Sequence, residues 1–355
     1  MGQDFQAALR RALAATRGGD PAGATRLIQD ALRGGAPTMP RAAPPANPAA
    51  APTMRAPRRA AQPAFHVRPD AADAEIASTR ARFACAHGAR DYLLHLPPRM
   101  TRGAAPRGLV LMLHGCTQDA ADFARGTGMD DVADRADLIT VWPEQTAGAN
   151  PNRCWNWFRA DDQDRAGEAA LLAALARDVA ARHGVPDGAI FAAGLSAGGA
   201  MAALLGQNHA DTFAAIGVHS GLPAGAARDM PGAFRAMATG GGGDPASGRA
   251  IVFHGTADRT VHPANAMRLC GLTPADRPER ETMRGGRRVD RHVRRDPSGR
   301  PTTELWSVAG LGHAWSGGRR GGSHADPAGP DASAEMVRFF LSPSPPATRR
   351  GTIEG

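Results

Sequence analysis

Short runs of apolar residues alternate with longer segments of helical periodicity through most of this chain. The runs are the length of a buried strand and lie at 108–113, 138–142, 189–193, 214–218, 250–254 and 302–308. Two earlier strand candidates, 81–85 and 90–96, flank a short polar turn and predict an antiparallel hairpin. Segments with apolar residues three and four positions apart lie between the later runs, at 129–135, 167–183 and 197–208. Short buried strands separated by helices predict a mostly parallel central sheet flanked by helices, an α/β fold.

Composition divides the chain into four segments. Residues 1–35 hold two amphipathic stretches separated by a Gly-Gly-Asp-Pro break and predict a helical hairpin. Residues 36–80 are rich in proline and alanine and predict a disordered linker, 81–342 form the α/β domain, and 343–355 predict a disordered tail. A lone helical hairpin cannot bury its own apolar face, so we expect it to dock on a partner that the sequence does not identify.

Charge and composition exclude several classes of function. The chain has a net charge of +8, and all 42 residues counted as lysine or arginine are arginine. A single tyrosine and the lack of a nucleic-acid motif argue against a nucleic-acid partner. No apolar run approaches the ~18 residues that span a bilayer, and the first residues lack the apolar core of a signal peptide, which favours a cytoplasmic location. The four cysteines are too few and too scattered for a metal site.

The most informative motif is Gly-Leu-Ser-Ala-Gly at 194–198. It follows the apolar run 189–193 and precedes the small-residue helix predicted at 197–208. A serine on a tight turn between a strand and a helix projects its hydroxyl above the sheet edge, and glycines on both sides leave room for that turn. Ser196 is therefore the candidate nucleophile.

A serine nucleophile needs a base and an acid that orients the base. Asp258 follows the apolar run 250–254, and His313 follows the last strand candidate, so both fall on loops at the expected edge of the sheet. The chain order Ser196, Asp258, His313 is that of α/β-hydrolases. The alternatives are that Asp258 caps a helix beginning near Pro263 and that His313 is an ordinary surface residue. The rival acids, Asp229 and Asp244, lie in a Gly/Pro-rich region with no strand directly before them.

A serine nucleophile that attacks a carbonyl group also needs two N–H donors for the negative charge that develops on the oxygen. The backbone N–H of Ala197, directly after the nucleophile, is one candidate. The N–H of Cys116, in the loop after the run 108–113, is the other, with His114 supporting that loop.

Eight segments are informative together: Leu-His-Gly-Cys-Thr-Gln at 113–118, Trp-Pro-Glu-Gln at 142–145, Arg-Cys-Trp-Asn-Trp-Phe at 153–158, Gly-Leu-Ser-Ala-Gly-Gly-Ala-Met-Ala at 194–202, Gly-Val-His-Ser-Gly-Leu-Pro at 217–223, His-Gly-Thr-Ala-Asp at 254–258, Gly-His-Ala-Trp-Ser-Gly-Gly at 312–318 and Asp-Pro-Ala-Gly-Pro-Asp-Ala-Ser at 326–333. In these segments the chain resembles the poly(3-hydroxybutyrate) depolymerase family of esterases. The resemblance implies an α/β-hydrolase fold, a Ser196–Asp258–His313 triad, an oxyanion hole lined by Cys116, and no metal or organic cofactor. Family members are commonly secreted, so an extracellular location is the alternative to the cytoplasm.

Three smaller features stay open on the sequence. Trp155, Trp157 and Trp315 either line an acyl-binding groove or pack in the core. Cys116 and Cys154 either form a disulfide or remain free thiols, the usual state without an export signal. Seven arginines within 284–300 predict a solvated hairpin at a sheet edge, with a site for the carboxylate ends of anionic oligomers as the alternative.

The preferred hypothesis is a serine esterase that acts on short-chain hydroxyalkanoate esters, polymeric or oligomeric. The first alternative is a feruloyl or acetylxylan esterase, since such relatives resemble this fold and chemistry. The second is an interaction protein with a vestigial hydrolase domain, although the intact Ser196, Asp258 and His313 count against it. The sequence shows no separate polymer-binding module, so we expect soluble oligomers or amorphous polymer as substrates rather than crystalline granules.

Overall fold

The computed structural model describes residues 78–240 and 242–342. The predicted N-terminal hairpin, the predicted C-terminal tail and nearly all of the predicted linker lie outside these ranges. The strands are β1 Thr79–Cys85, β2 Gly88–His95, β3 Gly108–Leu113, β4 Leu138–Pro143, β5 Ile190–Leu195, β6 Ala215–His219, β7 Arg249–Gly255, β8 Arg280–Arg284, β9 Arg287–Arg295, β10 Pro301–Val308, β11 Trp315–Ser316 and β12 Ala325–Asp326. The α-helices are α1 Ala120–Thr127, α2 Met129–Ala136, α3 Gly167–His183, α4 Ala197–Asn208, α5 Met230–Thr239, α6 Ala264–Leu269 and α7 Ala332–Phe340.

Ten strands form one sheet in the order β1-β2-β4-β3-β5-β6-β7-β10-β9-β8. The six strands from β4 to β10 run parallel, and antiparallel strands close both ends. Every residue of β3 and β4 is buried, as the continuous apolar runs require of strands covered on both faces. The predicted α/β fold with a mostly parallel central sheet is therefore confirmed.

The helices pack against the sheet in two groups. Helices α3 and α4 contact each other and the strands around β5, whereas α2 and α7 contact each other and pack on β4, β6 and β7. Helix α3 has the bounds that the sequence predicted, and its buried residues are mainly alanine and leucine. No helix in the described ranges is both long enough and apolar enough to span a bilayer.

The arginine-rich segment forms the predicted hairpin at one edge of the sheet. Strands β8 and β9 pair antiparallel, and β9 joins the sheet through β10. Four of its guanidinium groups form ion pairs with carboxylates of the same chain: Arg287 with Asp326, Arg288 with Asp290, Arg291 with Glu304 and Arg295 with Glu279. These ion pairs neutralise part of the arginine charge that, in the alternative hypothesis, would bind the carboxylate ends of anionic oligomers.

Strand order brings the carboxyl ends of β3, β5, β6, β7 and β10 to one edge. Leu113 is level with Gly194, Leu195 with His219, His219 with Phe253 and Gly255 with Val308. The loops that leave this edge carry all of the residues predicted for catalysis. The site is therefore built by neighbouring loops on a rigid sheet.

Candidate active site

Ser196 occupies a sharp turn between β5 and α4. Its backbone has φ 57° and ψ −119°, in a region that a residue other than glycine occupies at a cost of about 1–3 kcal/mol. The turn is held because the Ser196 N–H donates to the His219 carbonyl oxygen at 2.9 Å and the following residues enter a helix. Ser196 thus sits on the strained strand–turn–helix that the motif predicted, at the functional edge of the sheet.

Gly194 and Gly198 are required by close packing and not by their backbone angles, since neither has a positive φ. A Cβ atom on Gly198 would overlap the carbonyl oxygen of Leu113, and one on Gly194 would overlap the carbonyl group of Gly198. The first turn of α4 therefore presses directly against the end of β3. This contact brings Ser196 beside the loop that follows β3: a Cβ on Gly115 would lie 3.6 Å from the Ser196 Cβ.

Asp258 and His313 are in direct contact. The His313 Nδ1 donates to Asp258 Oδ2 at 2.8 Å, while the N–H groups of Thr260 and Val261 each donate to Asp258 Oδ1 at 2.9 Å. An ionised carboxylate accepts this bond, so the imidazole carries its proton on Nδ1 and leaves Nε2 with a free lone pair. The structure thus brings together two of the three predicted catalytic side chains in the arrangement that a general base requires.

The Asp258 carboxylate is buried but remains ionised. Burial alone would raise its pKa, but the hydrogen bond from His313, the electrostatic influence of the His313 and His254 rings and the Val261 N–H outweigh that effect. Together they lower the pKa of Asp258 to about 2. The carboxylate is therefore negative throughout the neutral range, as an orienting acid must be.

The alternative roles for the acids are resolved by their local contacts. Helix α6 begins with Pro263 at its cap position, so Asp258 does not cap it. Asp229 instead caps α5, where its side chain accepts the Gly232 N–H at 2.6 Å. Asp244 lies in the loop before β7, near Gly225. Neither rival contacts His313.

His219 connects the serine turn to the His313 loop, a role that the sequence did not predict. Its carbonyl oxygen accepts the Ser196 N–H, its Nε2 accepts the Ser316 N–H at 3.0 Å, and its ring stacks on Trp315 and Phe253. Burial lowers the pKa of His219 to about 3, so the ring is neutral and its Nε2 acts as an acceptor. The available signal was a histidine at the end of the apolar run that follows the serine motif along the chain.

The loop after β3 leaves the Cys116 N–H group free. Within this loop, the N–H groups of Gly115, Thr117 and Gln118 donate to Gln118 Oε1, the Asn152 carbonyl and the Gly115 carbonyl, respectively. The Cys116 N–H has no partner among the described residues. Ala197 is the first residue of α4, and N–H groups in the first turn of a helix have no acceptor within the helix. Neither of the two N–H groups predicted to bind the oxyanion therefore has a hydrogen-bond acceptor among the described residues.

His114 supports this loop as predicted. Its Nδ1 donates to the Gly115 carbonyl at 2.8 Å, and its Nε2 accepts the Gln145 N–H at 3.1 Å. Burial lowers the pKa of His114, so the ring stays neutral and keeps one donor and one acceptor. The imidazole thereby ties the loop after β3 to the segment after β4.

A disulfide joins Cys116 to Cys154 and forms a second tie between the same two segments. Glu168, at the start of α3, anchors the second segment: it accepts from Arg90, from the Gln145 side chain and from the Asn156 backbone, at 2.6–2.8 Å. Cys85 and Cys270 are free. The loop that carries the free Cys116 N–H is therefore fixed by a covalent bond, a histidine and a buried carboxylate.

Replacing both bridged cysteines by alanine is expected to destabilise the protein and slow ester cleavage. The bridge spans 38 residues, and opening such a loop lowers the free energy of unfolding by about 2–4 kcal/mol. A looser Cys116 N–H should also lower kcat by up to about 10²-fold. Urea unfolding and p-nitrophenyl butyrate hydrolysis measure the two effects, with Cys85→Ala as the control. An unfolding curve and kcat equal to those of the parent protein would contradict this expectation.

The three tryptophans lie in the interior, as the core-packing alternative would have them. Trp155 packs near His114, Trp157 packs edge-on against Phe158, and Trp315 packs between Phe123 and His219. Trp155 and Trp315 are at most 1% exposed. Their burial does not favour direct contact with a substrate, and their substrate-binding role stays a prediction. Among the described residues, no group of three or more potential ligands is arranged to hold a metal ion.

The parallel sheet, the strained serine turn and the Asp–His pair at one edge define an α/β-hydrolase. The fold is similar to that of an acetyl xylan esterase from Aspergillus awamori, with a TM-score of 0.55 and 15% identity over 74% of this chain and 98% of that one. Residues 90–272, just over half of the chain, match the family model described as Esterase PHB depolymerase. The chain belongs to this family.

The chain is also similar to two curated depolymerases. The chain is 30% identical to poly(3-hydroxyalkanoate) depolymerase C of Paucimonas lemoignei, over 62% of this chain and 57% of that protein. It is also 30% identical to the poly(3-hydroxybutyrate) depolymerase of Ralstonia pickettii, over 61% of this chain and 49% of that protein. The chain thus spans about half the length of the curated relatives it matches.

Proposed function

We propose that this protein hydrolyses carboxylic esters through Ser196, His313 and Asp258, and that its substrates are short-chain 3-hydroxyalkanoate esters. The observation that carries the proposal is the hydrogen bond between His313 and the buried Asp258, at the sheet edge where Ser196 occupies its strained turn. A buried, ionised acid that orients a histidine, at the sheet edge where a serine occupies a strained turn, is what acyl transfer requires.

In the first half of the reaction, His313 Nε2 takes the proton of the Ser196 hydroxyl as its oxygen attacks the ester carbonyl carbon. The C=O bond becomes a C–O⁻ bond, and the N–H groups of Cys116 and Ala197 donate to that oxyanion. Each such donor stabilises the transition state by about 3 kcal/mol. The imidazolium formed on His313 is stabilised by Asp258 and then protonates the leaving alkoxide, which departs as an alcohol.

In the second half, His313 deprotonates a water molecule that attacks the acyl carbon bound to Ser196. The same two N–H groups stabilise the second oxyanion, and collapse returns the proton from His313 to the Ser196 oxygen. The products are one carboxylic acid and the regenerated enzyme. Both halves use only the ester, water, the three side chains and the two backbone N–H groups.

The substrate class is supported by the names of the two depolymerases to which the chain is 30% identical. The test is a comparison of kcat/KM on 3-hydroxybutyrate dimers and trimers, amorphous poly(3-hydroxybutyrate), methyl ferulate and acetylated xylan. We expect kcat/KM on the hydroxybutyrate esters to exceed kcat/KM on methyl ferulate and acetylated xylan by at least about tenfold. One or two specific contacts in the binding pocket supply that much discrimination. Faster hydrolysis of methyl ferulate or acetylated xylan would overturn the substrate assignment and leave the ester chemistry intact.

A further inference from the structure

His254 lies at the end of β7, four residues before Asp258, and its ring is almost fully buried. The ring Nε2 lies 2.9 Å from the carbonyl oxygen of Val261 and 3.5 Å from Asp258 Oδ2. Asp258 Oδ2 is also the oxygen that accepts from His313. A second imidazole therefore lies close to the carboxylate oxygen that accepts from the candidate base.

The tautomer of His254 follows from its partners. A carbonyl oxygen only accepts hydrogen bonds, so Nε2 must carry the proton in order to bond to Val261. The other nitrogen, Nδ1, is buried and has no partner among the described residues, as suits an unprotonated nitrogen. Burial also lowers the pKa of His254, which keeps the ring neutral. His254 thus presents one fixed N–H to the turn that holds Asp258.

That N–H is linked to the Asp258 carboxylate through Val261. His254 holds the carbonyl of Val261, and the N–H of the same Val261 donates to Asp258 Oδ1. The partial positive charge on the His254 N–H faces Asp258 Oδ2. The ionisable groups that influence His254 from the surrounding loops and the neighbouring strand are Asp258, His313, His262 and His219. In this group of residues, only Asp258 is acidic.

We propose that His254 is a positioning residue, which fixes the 258–261 turn and shares the Asp258 carboxylate with His313. The inference rests on the proposed function, in which Asp258 orients the catalytic base His313. Without the His254 N–H, the turn loses the bond that fixes Val261, and the carboxylate no longer keeps a single orientation. The unshared carboxylate then holds the imidazolium form of His313 more tightly.

The matched pair His254→Gln and His254→Met tests this role. Glutamine and methionine have similar length and volume, but only the Gln amide supplies an N–H near the position of Nε2. We expect His254→Met to lower kcat on p-nitrophenyl butyrate by about 10–100-fold with little change in KM, because the buried Val261 carbonyl loses its hydrogen-bond partner and no longer fixes the turn. The acid limb of its kcat/KM profile should move to higher pH. We expect His254→Gln to recover most of kcat and the parent pH profile.

The outcomes separate this inference from the proposed function. Equal loss in both variants with an unshifted acid limb would assign His254 a packing role and overturn the inference, as would full activity in His254→Met. Melting temperatures of both variants identify any that fail to fold, and the surviving variant is still compared with the parent protein. If Ser196→Ala keeps its activity, the proposed triad itself fails, whatever the His254 variants do.

Discussion

Ser196→Ala is expected to abolish ester hydrolysis without unfolding the protein. Removing the nucleophile of a serine hydrolase lowers kcat by about 10⁴–10⁶-fold, and the remainder comes from the oxyanion donors and binding. The fold should persist because the turn is held by the Ser196 backbone N–H and by the contact of Gly198 with β3, neither of which involves the hydroxyl. The rate on p-nitrophenyl butyrate and the melting temperature, measured on the same preparation, check both statements.

Ser220→Ala is the matched control for this variant. Ser220 is also buried, also has a positive φ and also lies at the end of a strand at the functional edge. Its backbone N–H donates to the carbonyl oxygen of Phe253, and its hydroxyl oxygen lies 3.2 Å from His219 Nδ1. Loss of one such neutral hydrogen bond should lower kcat by no more than about tenfold. A Ser196→Ala protein as active as Ser220→Ala would refute the assignment of the nucleophile.

Asp258→Asn is expected to lower kcat by about 10⁴-fold, the effect of reversing the imidazole tautomer in a triad. The asparagine oxygen can still accept from Thr260 and Val261, which places the NH₂ group against His313 Nδ1. Two donors cannot face each other, so His313 moves its proton to Nε2 and can no longer accept the serine proton. The measurement is kcat on p-nitrophenyl butyrate, with circular dichroism to show that the fold is intact.

Asp229→Asn supplies the control, because Asp229 was the rival acid and caps α5 instead. Asparagine caps helices about as well as aspartate, so both the activity and the stability of this variant should match the parent protein. A large loss of activity in Asp229→Asn, together with an active Asp258→Asn, would reverse the assignment of the acid.

The elements of the fold could be read from the sequence because the central strands are buried on both faces. Each apolar run stands out between helical segments, and β3 and β4 contain no exposed residue. The serine turn was readable for a related reason: Gly194 and Gly198 pack too closely against the backbone to tolerate a side chain. Steric demands of this kind require glycine at fixed positions along the chain, and such glycines are visible in the sequence.

The roles of His219 and His254 were not predicted. The contacts of His219 with the serine turn, with Phe253 and with Ser316 arise only when β6 lies between β5 and β7 and β10 lies beside β7. The contacts of His254 depend on how the loop after β7 folds back on that strand. The sequence gives the order of strands along the chain and not their order across the sheet. The pairing of Cys116 with Cys154 is similar, since it depends on how the loops after β3 and β4 meet.

The most direct test of the account is covalent labelling of the protein with diisopropyl fluorophosphate. The tryptic peptide 183–228, bounded by Arg182 and Arg228, contains Ser196 and Ser220, and fragmentation in a mass spectrometer distinguishes the two. The account predicts one phosphoryl adduct on Ser196, loss of esterase activity in proportion to labelling, and no adduct on this peptide in Ser196→Ala. An adduct on another residue, or full esterase activity in a fully labelled protein, would contradict it.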